Sequence, residues 1–234
     1  MSKPPLILLP GTLCDEKLWE HQVEHLSSLT DVSVHMLTED DSIEDMALTV
    51  LKNAPERFSL AGLSLGGIVA LEIVKRAPDR VTSLALLDTN PNPPRAEQIE
   101  AWGQFIEMAK NGQFKQITKK HLLPGLIRPE SQTNKTLVSE ILKMADQVGA
   151  DALIRQMRAL INKPDGRTVL TEISCPTLVM VGLEDTVCPL EMHKELASDI
   201  PSAKLVTIEQ CGHLSSIEQP QAVSAVLQYW LQSS

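Results

Sequence analysis

Aromatic side chains are scarce in this 234-residue chain, at 3%: three Trp, three Phe and one Tyr. A core for a domain of this length must therefore be aliphatic, and the 43% hydrophobic content supplies it as Leu, Ile, Val, Ala and Met. Cysteine is nearly as sparse. Cys14, Cys175, Cys188 and Cys211 form no C-x-x-C pair and no zinc-like spacing, so they read as reduced thiols in a reducing compartment. Nothing approaches the run of about 18 apolar residues that a membrane helix needs. The opening run, Leu6–Leu9, is too short even for a signal-peptide core, so a cytoplasmic chain with no membrane partner is expected. A basic excess is also missing: 21 Lys+Arg face 30 Asp+Glu, a formal charge of −9, which argues against a nucleic-acid partner. The carboxylate run Glu39-Asp40-Asp41 has no second oxygen-ligand cluster beside it and reads as a solvated loop. No metal or organic cofactor is expected.

Short apolar runs alternate with longer amphipathic ones. Leu6–Leu9, Val32–Leu37, Phe58–Leu63, Val81–Leu87, Thr177–Val181 and Lys204–Ile208 read as strands, near-continuously apolar as in a parallel sheet covered on both faces. Helical patterns fall at Asp15–Leu29, Ser42–Leu51, Leu65–Arg76, Pro189–Ser198 and Gln219–Leu231, with Ser42 and Asp45 in capping-box spacing. This predicts an α/β, doubly wound, mostly parallel six-stranded sheet. From Asn92 to about Thr168 the periodicity is helical without a convincing strand. An inserted helical cap over 92–168 is therefore expected, with residues 1–91 and 169–234 forming the core. The charge is divided the same way: 12 Lys+Arg against 8 Asp+Glu in 92–168, net +4, and 9 against 22 elsewhere, net −13.

Between the third strand and the helix after it stands Gly62-Leu63-Ser64-Leu65-Gly66, a G-x-S-x-G pattern. A sharp strand-to-helix turn lifts such a serine clear of the sheet, and the flanking glycines let strand and helix approach. A nucleophilic serine needs a base, and the base an orienting acid. His213, in Cys211-Gly212-His213 just beyond the last strand, is the candidate base. His21, His25 and His193 lie among polar residues of helical patterns and are expected to be solvated. Asp185, in the turn after the fifth strand, is the favoured acid. Glu184 and Asp88, which ends the fourth strand, are its competitors. Cys14 and Cys211 flank these segments and read as small apolar fillers.

The order Ser64…Asp185…His213, with each residue at a strand's C-terminal end, resembles the α/β-hydrolase fold superfamily over Leu6 to Leu231. Leu8-Leu9-Pro10-Gly11-Thr12 through Trp19 is similar to that family's oxyanion strand end, with Pro10 where histidine is usual. Gly182-x-x-Asp185-x-x-x-Pro189 is similar to its acid loop, and Gly212-His213-x-x-x-x-Glu218-x-Pro220 to its histidine loop. The family's antiparallel edge strands have no counterpart in this sequence. The resemblance implies oxyanion donors at the backbone N–H groups of Thr12 and Leu65, and a cap lying over the catalytic edge. It implies a serine hydrolase that cleaves a small carboxylic ester or thioester through an acyl-enzyme, with a small-molecule acyl substrate and a monomeric or homodimeric state. The same fold also hosts carbon–carbon bond hydrolases, lyases and non-catalytic binding proteins, which stay open as alternatives. Arg155 and Arg158, three apart on one helical face of the basic insertion, are candidate substrate-binding residues for an anionic acyl group.

Overall fold

A computed structural model describes residues 3–233. Six strands form one sheet: β1 (Pro5–Leu9), β2 (Asp31–Val34), β3 (Phe58–Leu63), β4 (Val81–Leu87), β5 (Thr177–Gly182) and β6 (Lys204–Ile208). All are parallel, in the order β2-β1-β3-β4-β5-β6. The inner strands β1, β3 and β5 are buried along essentially their whole length, which is why they read as unbroken apolar runs. Side chains alternate between two cores: Ile7 and Leu9 face one, Leu6 and Leu8 the other.

The helices fill both faces. α1 (Glu20–Leu26) follows a 3₁₀ turn, Glu16–Trp19, that Asp15 caps through Lys17 N–H. α2 (Ile43–Asn53) is capped by Ser42, whose hydroxyl accepts from Asp45 N–H at 3.0 Å. α3 (Leu65–Arg76) follows β3 directly and ends at Ala77 before Pro78. The stretch from β4 to β5 contains no strand. Its helices are α4 (Ala96–Lys110), the short α5 (Phe114–Gln116) and α6 (Leu123–Leu126), and α7 (Lys135–Ile161), which is kinked at Gly149 with φ 85°. α8 (Leu190–Asp199), α9 (Ser215–Glu218) and α10 (Pro220–Gln232) complete the chain. Among the described residues, no helix is long and apolar enough to cross a membrane.

β2 stops at Val34, three residues short of the expected Leu37. His35 N–H still reaches Leu8 carbonyl at 3.0 Å, but the carbonyls of Leu37 and Thr38 are taken by side chains of α7. The chain is thereby turned away from the sheet.

Topology places the site. The chain winds from β1 outward to β2, then returns past β1 to β3 and continues toward β6. The reversal falls between β1 and β3, the kind of switch point beyond whose strand carboxyl ends open α/β sheets bind their ligands. Gly11 follows β1 and Ser64 follows β3 on either side of it. A Cβ built on Gly11 would lie 3.4 Å from Ser64 Cβ.

Candidate active site

Ser64 sits between β3 and α3 with φ 55° and ψ −114°, a left-handed conformation that few non-glycine residues adopt. Such a backbone costs on the order of 1–3 kcal/mol and persists only when its surroundings fix it. Here Ser64 N–H donates to Leu87 carbonyl at 3.0 Å, and its own carbonyl accepts from Thr89 Oγ1 at 2.7 Å. The turn also requires glycine. A Cβ on Gly62 would stand 2.3 Å from Gly66 carbonyl oxygen, backbone that has nowhere to go. Gly62→Ala should therefore cost about 1–3 kcal/mol or more in stability and lower activity as the elbow distorts. Thermal denaturation and ester turnover measured together test this; unchanged values for both would contradict it.

His213 Nε2 lies 2.9 Å from Ser64 Oγ, and His213 Nδ1 lies 2.8 Å from Asp185 Oδ2. An ionised carboxylate only accepts, so Nδ1 carries the proton and the Nε2 lone pair faces the serine hydroxyl. The other oxygen of Asp185 is held by Val187 N–H at 2.8 Å and Cys188 N–H at 2.9 Å, which fixes the plane of the carboxylate. Asp185 and His213 are buried, while Ser64 is partly exposed. The acid and histidine loops touch through their backbones. Glu184 N–H donates to Cys211 carbonyl at 2.8 Å, and a Cβ on Gly182 would fall 2.0 Å from Gly212 oxygen. Glu218, quoted in the histidine-loop motif, accepts from Gly212 N–H at 2.7 Å and from Arg128 N–H at 3.1 Å. It thus ties the loop to the segment between α6 and α7.

Asp88 is near this chain but outside it. Its carboxylate accepts from Gly182 N–H at 2.9 Å and from the Ser215 hydroxyl, so it braces the acid loop against the segment following His213. Burial, together with the Asp185 charge, pushes the Asp88 carboxyl up to about 7. Glu184, the other competitor, pairs with Arg128 at 3.2 Å. Of the three acids, Asp185 is the one bonded to the imidazole. For His213 itself burial opposes the charged form, but the Asp185 and Asp88 carboxylates outweigh it, and the imidazole ionises above its ordinary value of 6.5. A general base works only when neutral, so the acid limb of kcat/KM should lie above that value. Asp88→Asn keeps Gly182 N–H on Oδ1, meets the Ser215 hydroxyl with an NH₂ that donates where the carboxylate accepted, and removes a negative charge, so it should move the limb to lower pH. A pH–rate series on the two proteins checks this; an unmoved limb would show that Asp88 does not act on His213.

Two expectations are corrected. His193 is fully buried rather than solvated: Nε2 accepts from Thr89 N–H at 3.0 Å and Nδ1 faces Pro189 carbonyl at 3.3 Å. Burial holds its pKa down to about 4, so it is a neutral structural group. The spacing of His193 and Leu196 on one face of α8, continued by Ile200 just past its end, is the available signal. His21 is partly buried rather than fully solvated, with Nδ1 2.8 Å from the Ser224 hydroxyl. Arg155 and Arg158, the candidate substrate-binding pair, both reach the loop after β2. Arg155 donates from Nε to Thr38 carbonyl at 2.6 Å, and Arg158 reaches Asp41 at 3.4 Å on the surface. The basic face of α7 is engaged with the acidic loop after β2.

Cys14 and Cys211 are buried, and burial raises both thiols, Cys14 to about 12, so neither offers a thiolate at neutral pH. Leu65 and Gly66 open α3, and their N–H groups have no carbonyl four residues back within the helix. A groove of about 830 Å³ runs along β2 between Glu20, Val32 and Val34, and no residue of the Ser64–His213–Asp185 chain lines it.

The profile of the alpha/beta hydrolase family matches residues 6–226. The chain is an α/β hydrolase. A pimeloyl-[acyl-carrier protein] methyl ester esterase of Nitrosomonas europaea is 26% identical, over 93% of this chain and 92% of the relative. A thermophilic esterase from Thermogutta terrifontis, solved with malate bound, superposes at TM-score 0.90 with 26% identity, covering 99% of this chain and 90% of that one. An enol-lactonase from Burkholderia xenovorans shares the fold at TM-score 0.90 and 21% identity, over 99% and 92% of the two chains. With relatives of this kind, this α/β hydrolase is a hydrolytic enzyme of esterase type.

Proposed function

We propose that this α/β hydrolase cleaves a small carboxylic ester or thioester by acyl transfer from Ser64 to water. The observation that carries the reading is the unbroken chain Ser64 Oγ–His213 Nε2–Asp185, with links of 2.9 and 2.8 Å. In the first half-reaction His213 takes the serine proton as Oγ attacks the ester carbonyl, and returns it to the leaving alcohol or thiol. Negative charge gathers on the former carbonyl oxygen. The N–H groups of Thr12 and Leu65, from β1's end and α3's first turn, are the donors assigned to it, with the helix dipole beneath. In the second half-reaction the same imidazole deprotonates water, which attacks the acyl-enzyme and releases the acid. Asp185 keeps Nδ1 protonated and stabilises the imidazolium in both. The methyl ester esterases among the relatives support an ester substrate by their names.

Rapid mixing with a 4-nitrophenyl ester tests the covalent intermediate. The expected result is a burst of 4-nitrophenol close to one equivalent, with the acyl mass on intact protein. Steady turnover with no burst and no adduct at any pH, for several esters and thioesters, would point away from an acyl-enzyme.

A further inference from the structure

The oxyanion loop is tied to the insertion by one buried side chain. Gln156 lies on α7 beyond the Gly149 kink and is 1% exposed. Its Oε1 accepts from Leu13 N–H at 3.0 Å, and its Nε2 donates to Leu37 carbonyl at 2.9 Å. One amide thus pairs with the loop after β1 and the loop after β2, while Arg155 beside it holds Thr38 carbonyl.

The consequence follows from peptide geometry. Leu13 is held at φ 56°, a left-handed conformation that a leucine does not adopt unaided. The two peptide planes flanking Thr12 are pinned. Cys14 N–H holds Gly11 carbonyl at 3.2 Å, which turns Thr12 N–H to the opposite side of that trans peptide. The next plane is held at one end by Cys14 Sγ on Thr12 carbonyl at 3.4 Å, and at the other by Gln156 on Leu13 N–H. Every tie but the last comes from within the loop itself. A thiol is also a weak donor. Gln156 is therefore the external restraint on the backbone that aims Thr12 N–H.

We infer that Gln156 is a positioning residue for the oxyanion hole, through which the seating of the helical insertion on the core sets the catalytic competence of the loop after β1. The inference rests on the acyl-transfer reading above and adds a residue to it. Without the acceptor, Leu13 N–H is left buried and unpaired, and the loop can relax its left-handed residue and swing Thr12 N–H off target. A displacement of about 1 Å at a catalytic group can cost on the order of 10²-fold in rate.

The test uses the full-length enzyme with Gln156→Leu and Gln156→Glu, measuring kcat and KM on a 4-nitrophenyl ester and inhibition by a trifluoromethyl ketone. The ketone's hemiketal oxyanion needs the same donors as the transition state. Gln156→Leu should lower kcat roughly 10- to 100-fold with KM nearly unchanged, and weaken the ketone by a similar factor. Gln156→Glu retains an oxygen for Leu13 N–H and should keep kcat within a few-fold of wild type. Gln156→Ala carries the same readout should the leucine variant not fold. A wild-type kcat in the leucine and alanine variants, a loss confined to KM, ketone affinity preserved while kcat falls, or a folded glutamate variant as impaired as leucine would each overturn the inference. Phosphonate labelling of wild type separates the two levels. A wild type that labels at Ser64 with variants that behave like it removes only the role of Gln156, whereas an unlabelled wild type removes the reading beneath.

Discussion

Ser64→Ala should reduce kcat on an ester by something on the order of 10⁶, the loss seen when a serine hydrolase is deprived of its nucleophile. The fold should survive. Ser64 is partly exposed, and the bonds that hold its turn are made by its backbone, through Leu87 and Thr89, not by its hydroxyl. Substrate should still bind, since the substitution leaves in place the backbone N–H groups proposed as its carbonyl donors. A kinetic comparison at saturating ester, with thermal denaturation as the folding control, checks the result. Retention of more than a few per cent of wild-type kcat would contradict an acyl-enzyme. It would favour a lyase or carbon–carbon bond hydrolase that uses His213 without a covalent serine step.

Asp185→Asn should lower kcat by about 10⁴, because an amide in place of the carboxylate favours the wrong imidazole tautomer. The asparagine Oδ1 can still accept from Val187 and Cys188 N–H, so the loop should hold its shape. Its remaining group is then an NH₂ facing Nδ1, which drives the ring proton to Nε2 and blocks deprotonation of Ser64. Asp88→Asn, by contrast, should cost no more than a few-fold at its pH optimum, since Oδ1 still accepts from Gly182 N–H and the Ser215 hydroxyl can turn to accept from the new NH₂. The pair of variants measured side by side decides which carboxylate serves the histidine. A reversed order of effects would transfer the role to Asp88.

Much of this arrangement is legible in the amino-acid sequence. The central strands could be read because burial on both faces leaves only apolar residues at Leu6–Leu9, Phe58–Leu63 and Thr177–Val181. Ser64 could be read because its strained turn demands glycine at 62, where backbone lies in the place of a Cβ. Edge elements were harder. β2 is half-exposed, so its apolar run continued past its last paired residue, and only the side chains of α7 reveal where it ends. Side chains whose partners are backbone groups far along the chain were the least visible. Gln156 bonds residues more than a hundred positions away, and a lone glutamine on a helix carries no pattern. Arg155 and Arg158 had a pattern, two cations on one face, but spacing does not say what the face meets. Here it meets the Thr38–Asp41 loop. Asp88 was visible as a strand-end acid. Its function as a brace between Gly182 and Ser215 depends on a contact between loops that strand order alone does not fix.

The central claim is that Ser64 is a nucleophile activated by His213, and covalent labelling addresses it most directly. Wild-type protein treated with a fluorophosphonate, digested and mapped by mass spectrometry should carry one adduct, on the peptide containing Ser64. His213→Gln should suppress that labelling by orders of magnitude while the protein remains folded. An adduct on another residue, or a folded wild-type protein that takes up no phosphonate, would contradict the account.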